Sequence, residues 1–247
     1  MPAYVSHCLM ANDVYNKIDN KYVNKDYMLT FSLGGDLARF SKCRRISHKE
    51  NTEEFIDNMW NYIKTRDLVL NKEYMGVLYG HICHYYMDLV CHPLIRKIDK
   101  LSINVGFKNH TLIEAYLDSY LVSNKLNNRI EKYNTKNLFK GKINKVRKMI
   151  NNVYYKTYNN KHLSLSYSIT KFMYSKIRYL FLIFGKNILI NLSNYNKYKD
   201  TNKNLDILNE NKKIYYKDYL GIESNYNFEE LYNKSIILAV NRINNLK

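Results

Sequence analysis

The stretch His81-Ile-Cys-His84-Tyr-Tyr-Met-Asp88-Leu-Val-Cys-His92-Pro93 carries three potential metal ligands, at positions 84, 88 and 92. Residues four apart lie above one another on an α-helix, so the two imidazoles and the carboxylate line one face. The line drifts by about 40° at each step, because four residues overshoot one helical turn. His84 and His92 can therefore face different ions, with Asp88 between them. A pair of hydrogen-bonded core histidines is the simpler alternative, but polar side chains on a buried helix need partners.

The scarcity of helix breakers favours long helices and an all-α fold. The chain has 247 residues, eight glycines and two prolines, Pro2 and Pro93. Apolar spacing and capping signals predict helices at about 3–18, 51–66, 73–91, from 110 onward, 141–156, 165–195 and 226–245. Residues 19–50 and 94–109 are predicted to be irregular, with Pro93 ending or kinking the central helix. Gly76 and Gly80 on that helix predict a close backbone approach. One multi-helix domain is expected over 1–247, with a metal-site half (1–120) and a basic helical half (121–247).

The net charge of +17 is concentrated in the second half of the chain. Residues 1–120 carry 15 Lys/Arg and 14 Asp/Glu, which leaves +16 for residues 121–247. A surface of this charge attracts polyanions, either an anionic membrane or nucleic acid. The alternative is a Lys-, Asn- and Tyr-rich compositional bias with a solvated surface. No chemical motif stands out after residue 120.

The cysteines and the apolar runs indicate a cytoplasmic protein, either free or peripheral at a membrane. Four cysteines without a Cys-x-x-Cys pair favour a reduced setting. The N-terminal residues lack the apolar run of a signal peptide. The most apolar run, 179–192, contains Gly185, Lys186 and Asn187 and is too short for a comfortable transmembrane span.

Eight residues of the first half are candidate metal ligands. They are His7, Asp36, His48, His84, Asp88, His92, His110 and Glu114. Imidazole and carboxylate ligands without thiolate are typical of zinc in a catalytic site. Eight ligands are too many for one tetrahedral ion, so the set predicts two or three zinc ions per chain.

The order of these residues resembles that of the zinc-dependent phospholipase C family and its structural relatives, the single-strand-specific fungal nucleases. That family has an N-terminal His, a Gly-x-Asp turn, a His before a helix, His-x3-Asp shortly before His-Pro, and His-x3-Glu. Here the matching segments are His7, Gly34-Gly35-Asp36, His48, His84-x3-Asp88-x3-His92-Pro93 and His110-x3-Glu114. The similarity covers about residues 2–120. Gly35 departs from the family, because bacterial relatives commonly carry Pro there.

The resemblance implies three zinc ions with distinct ligands. The first would be bound by Asp36, His48, His84 and Asp88. The second would be bound by His92, His110 and Glu114. The third would be bound by His7, by Asp88 as a bridging ligand, and by the N-terminal amine and carbonyl, which Pro2 would supply after removal of Met1.

The function implied by the resemblance is phosphodiester hydrolysis, most simply cleavage of phospholipids between glycerol and phosphate by a zinc-activated water. Asp36 would orient that water or accept its proton while ligating metal. A single-strand nuclease would use the same metals, with the basic half following the polynucleotide. A zinc-stabilised, non-enzymatic module that binds a membrane or a protein partner is the third interpretation.

Three further features lie near the ligands in the sequence. Asp118 is one turn after Glu114 and is expected to orient a ligating imidazole. His81 lies outside the family pattern and is expected to be a core residue or a neighbour of the ligands. The basic cluster Lys42, Arg44 and Arg45 either contacts substrate phosphate or is a solvated loop.

Overall fold

Helices account for nearly all regular structure in the described part of the chain. The computed structural model describes residues 4–38, 52–106, 108–130, 132–133, 138–159 and 192–246. The helices are α1 (Tyr4–Tyr15), α2 (Lys25–Phe31), α3 (Thr52–Lys64), α4 (Lys72–Leu101), α5 (Asn109–Leu126), α6 (Ile143–Tyr158), α7 (Leu192–Thr201) and α8 (Phe228–Asn244), with a 3-10 helix at Gly34–Ala38. Strands β1 (Tyr216–Lys217) and β2 (Glu223–Ser224) form a small antiparallel hairpin. The predicted all-α fold is confirmed.

The central helix α4 is longer than its sequence predicts. It begins at Asn71, whose Oδ1 accepts hydrogen bonds from the backbone N–H groups of Glu73 (3.1 Å) and Tyr74 (3.3 Å). It then continues for 30 residues and passes through Pro93. The prediction that the helix ends there, with 94–109 as a connector, was therefore wrong. Leu94, Ile95 and Ile98 are buried after the proline, and their packing offsets the roughly 3 kcal/mol that an interior proline costs.

Helix α2 lies against α4 at the two glycines predicted to allow a close approach. A Cβ at Gly76 would lie 2.6 Å from the carbonyl oxygen of Asn24, and one at Gly80 would lie 2.6 Å from that of Met28. The close approach is thus confirmed. The prediction that 19–50 is irregular missed α2 itself, which is only seven residues long and begins at an Asn24 cap.

The helices after α5 surround the same core. Helix α8 begins with a capping box between Asn227 and Glu230, and it packs along α4 and against α1. Helix α6 packs on α3. The predicted helices at 51–66, 141–156 and 226–245 are confirmed, whereas the predicted helix at 165–195 falls mostly outside the described residues.

The Asn/Lys-rich stretch near 194–213 has the composition of a polar connector, yet it is ordered in part by a buried asparagine. Part of it is the helix α7. After it, the side-chain amide of Asn209 donates hydrogen bonds to the carbonyl oxygens of Ile214 and Asn225, each at 3.0 Å. A segment that looks like a linker by composition thus has its own buried hydrogen bonds.

The structure gives the state of three cysteines and shows whether any described helix could cross a membrane. Cys8, Cys83 and Cys91 are buried free thiols, and Cys43 lies outside the described residues. Burial raises the pKa of the Cys8 thiol to about 12, which keeps it protonated. Among the helices that the structure describes, none has both the length and the apolar character required to cross a bilayer.

Candidate metal centre

Two groups of side chains bring imidazole nitrogens and carboxylate oxygens within 4.8 Å of one another. The first group contains His7 of α1, Asp36 of the 3-10 helix and His84 of α4, all buried. The second group contains His92 of α4 together with His110 and Glu114 of α5. The second group has the same members as the second zinc site implied by the resemblance, although ligation itself stays a prediction.

The carboxylate of Asp88 lies between the two groups. Its Oδ1 is 3.2 Å from Nε2 of His7 and 3.3 Å from Nδ1 of His92, and its Oδ2 is 3.3 Å from Nε2 of His84. The drift of the 84–88–92 line around α4 therefore places the two histidines in different groups. Asp88 thus faces the Nε2 atoms of His7 and His84 in the first group, and it contacts His92 of the second group through Nδ1.

The main chain fixes the orientation of two of these imidazoles. Nδ1 of His84 lies 3.2 Å from the carbonyl oxygen of Ser32, so its Nε2 faces Asp88. Nδ1 of His92 lies 3.0 Å from the Asp88 carbonyl oxygen, and its Nε2 points to Glu114 at 3.6 Å. A proton on Nδ1 leaves the Nε2 lone pair for a cation, which is the usual arrangement of a metal-binding histidine.

Gly34 allows the turn before Asp36 to pass across the face of His84. Its φ of +44° lies in the left-handed region, and a Cβ there would overlap the His84 ring. The turn thus carries Asp36 to His84 only because residue 34 has no side chain.

We expect Gly34→Ala to displace His84 and to weaken zinc binding by at least about tenfold, the lower range for a disturbed ligand environment. The matched control is Gly106→Ala. Gly106 also has a positive φ (+87°), but a Cβ there would meet nothing within 4 Å. The control variant should therefore have a lower melting temperature, because alanine is strained at this φ, and it should bind zinc normally. Competition titration with a chromophoric chelator measures the affinities, and normal zinc binding by Gly34→Ala would contradict the expectation.

The charges of the second group suit a divalent cation. Burial disfavours a charged His92, but Asp88 and Glu114 outweigh it and raise the pKa of His92 to about 9. Burial likewise opposes a charged Glu114, but His110 and His92 hold its pKa down at about 2. The carboxylates that stabilise an imidazolium here stabilise a metal ion in its place for the same electrostatic reason.

The donor atoms present fit zinc. Nδ1 of His7 is buried and has no hydrogen-bond partner among the described residues. A buried polar atom without a hydrogen bond lowers the stability of the fold by about 1–3 kcal/mol, so we expect a bound ligand to satisfy this nitrogen. Both groups combine imidazole with carboxylate and lack thiolate, as catalytic zinc sites do.

Asp99 is a partner of the second group that was missed at the sequence level. Its Oδ2 lies 3.9 Å from Nδ1 of His110, whose Nε2 is 2.9 Å from Glu114. The separation exceeds hydrogen-bond distance, so Asp99 places a negative charge near His110 without holding its ring. The sequence offered no signal for it, because the central helix was predicted to end at Pro93, before residue 99.

Of the two predicted neighbours of the ligands, Asp118 differs from its prediction and His81 agrees with one of its interpretations. Asp118 accepts hydrogen bonds from the backbone of Val5 and Ser6 rather than from an imidazole, which corrects the prediction for it. His81 is buried against Phe31 and Phe55, with Nδ1 2.9 Å from the Val77 carbonyl oxygen. Burial lowers the pKa of His81 to about 4, so it is a neutral core residue, as one of its two interpretations had it.

Some sequence-predicted residues fall outside the described residues. They are Pro2, His48 and the basic cluster Lys42, Arg44 and Arg45. Their proposed parts in zinc or phosphate binding stay predictions.

Comparison with known proteins gives one match. The family model described as zinc dependent phospholipase C matches residues 6–164, a range that contains both ligand groups and Asp88. Separate comparisons with curated proteins and with solved structures found no match.

Proposed function

The chain belongs to the zinc-dependent phospholipase C family, and on this premise we propose that it cleaves phospholipid head groups by hydrolysis at the glycerol–phosphate bond. The observation that carries the proposal is the position of Asp88, which contacts histidines of both ligand groups. Zinc ions held by two groups that contact one carboxylate would lie near each other, and neighbouring ions can stabilise both the attacking and the leaving oxygen of a phosphodiester.

The proposed ligands follow the two groups and the resemblance. In the first group they are His7, Asp36, His84 and the shared Asp88, with His48 and the amine of Pro2 added by the resemblance alone. In the second group they are His92, His110 and Glu114. This set supports two to three zinc ions.

The protein side chains supply orientation, charge and a proton acceptor. Zinc bound here would polarise the phosphate ester and acidify water. Asp36 is buried, on a turn that Gly34 holds against His84, and we assign to its carboxylate the acceptance of a proton from the attacking water. His110 is 31% exposed, whereas Glu114 is 2% exposed. The second group therefore faces solvent through His110, which is where a phosphate can enter.

We propose that the second half of the chain belongs to the same domain and directs it to an anionic lipid surface. The hydroxyl of Tyr232 donates a hydrogen bond to Asp13 at 2.9 Å, and Lys125 pairs with the same carboxylate. These contacts join α8 and α5 to α1. The net charge of +16 on residues 121–247 supports attraction to anionic lipids, an effect that salt weakens.

The experiment is a hydrolysis screen of zinc-loaded protein on phosphatidylcholine vesicles with and without anionic lipid, on single-stranded DNA and RNA, and on a chromogenic phosphodiester. We expect release of diacylglycerol and a phosphorylated head group, abolished by chelator and faster on anionic vesicles at low salt. Cleavage of nucleic acid without lipid hydrolysis would replace the proposal with a nuclease. Zinc binding without any hydrolysis would favour the non-enzymatic module.

A further inference from the structure

A buried carboxylate on α5 holds the first turn of α1. Oδ1 of Asp118 accepts hydrogen bonds from the backbone N–H of Ser6 at 2.7 Å and from its hydroxyl at 2.6 Å, and Oδ2 accepts one from the N–H of Val5 at 3.3 Å. The first N–H groups of a helix lack partners within the helix. Asp118 therefore serves as an N-terminal cap that comes from another helix.

This contact lies next to a ligand of each group. Ser6 precedes His7 in the chain, and Asp118 is four residues after Glu114 on α5. Residues four apart share a helix face. One face of α5 thus carries Glu114 of the second group. One turn further on, Asp118 holds Ser6, the residue that precedes His7 of the first group.

His7 depends on its backbone for position more than the histidines of α4 do. Nδ1 of His84 and Nδ1 of His92 each lie within hydrogen-bond distance of a main-chain carbonyl oxygen. Nδ1 of His7 has no hydrogen-bond partner among the described residues. Its ring is nevertheless placed 3.2 Å from Asp88 and packs on the His84 ring at 4.5 Å between centroids. The start of α1 must fix this placement.

We propose that Asp118 is a positioning residue that sets the distance between the two ligand groups by holding the start of α1 against α5. The inference rests on the proposed zinc-dependent function. By this inference, Asp118 affects the affinity for the zinc ion bound through His7 and leaves the affinity of the second group for its ion unchanged.

The test compares three variants by zinc competition titration and by thermal melts of the metal-free protein. Asp118→Asn keeps the size of the side chain but turns one acceptor into a donor that faces the N–H of Val5. Ser6→Ala removes only the hydroxyl contact. The matched control is Asn209→Asp, an isosteric change that removes the buried amide donor of Asn209 far along the chain.

We expect Asp118→Asn to weaken one zinc site by about 10- to 100-fold, the usual effect of losing a residue that orients a ligand, and to leave the other affinity unchanged. Ser6→Ala should shift the same site by a smaller factor. Asn209→Asp should lower the melting temperature and leave every zinc affinity unchanged.

Two results would overturn the inference while the proposed function stands. One is an unchanged zinc affinity in Asp118→Asn. The other is a loss of zinc affinity that is equal at all sites and in proportion to the fall in melting temperature. If Asp118→Asn does not fold, an unchanged affinity of the same site in Ser6→Ala overturns it as well. Failure of the unaltered protein to bind at least two zinc ions would instead remove the proposed function.

Discussion

Removal of zinc by a chelator is expected to lower the melting temperature by about 10 °C or more. A ligand present at about 1,000 times its Kd stabilises a fold by about 4 kcal/mol, and for a chain of this size each kcal/mol corresponds to roughly 2–4 °C. The structural reason is that each group gathers imidazoles around a buried carboxylate, Asp36 in the first group and Glu114 in the second. We therefore expect metal binding and folding of this region to be coupled.

Calorimetry and elemental analysis on the same samples check this expectation. Protein purified without chelator should contain two to three zinc ions per chain and should melt at the higher temperature. Addition of zinc after chelation should restore the melt, whereas addition of magnesium should not, because imidazole-rich sites disfavour it. An unchanged melt in protein shown to be free of metal would mean that the carboxylates are stabilised by the protein alone.

Helical spacing predicted the local relations among the ligands, whereas the grouping of His92 with His110 and Glu114, which lie on another helix, was implied by the resemblance. His110 and Glu114 are one turn apart on one helix, and the spacing from His84 to His92 follows from helix geometry. The association of His7 with Asp36 and His84 could not be predicted in this way. It depends on how α1 and the Gly34 turn pack on α4, and helical periodicity carries no information about that packing.

The errors in the fold have a common physical origin in tertiary packing. Pro93 is unfavourable within a helix, but buried side chains on its C-terminal side keep α4 helical as far as Leu101. The extension brings Asp99 to His110, which a helix ending at Pro93 would not do. Helix α2 was missed because its seven residues are too few to form a helix alone, and it is stabilised by packing on Gly76 and Gly80.

Replacement of Asp36 and replacement of Asp88 by Asn are expected to have different consequences. Asp36 lies on the Gly34 turn and belongs to the first group alone, whereas Asp88 contacts His7, His84 and His92 of both groups. Asp36→Asn keeps an oxygen donor but loses the charge and the ability to accept a proton. We expect it to retain most of its zinc and a near-native melt, and to lose at least about 100-fold in hydrolysis rate, the lower end of what general-base catalysis contributes.

Asp88→Asn should lose zinc, stability and activity together, because one change weakens the ligands of both groups and leaves three imidazoles facing an amide. The paired measurement is zinc content, thermal melt and phosphodiester hydrolysis for both variants. Asp19→Asn provides the matched control, since Asp19 is exposed and its carboxylate accepts a hydrogen bond from the N–H of Lys21. This control should behave like the unaltered protein in all three measurements.

The paired design separates ligation from proton transfer at Asp36. Full activity in Asp36→Asn would remove Asp36 from the reaction and weaken the assignment of a general base to the Gly34 turn. Equal loss of zinc from the Asp36 and Asp88 variants would reduce Asp36 to an ordinary ligand. Retained zinc with a large loss of rate would support a part for the negative charge of Asp36 in the chemical step, because an amide of the same size then holds the metal without restoring hydrolysis.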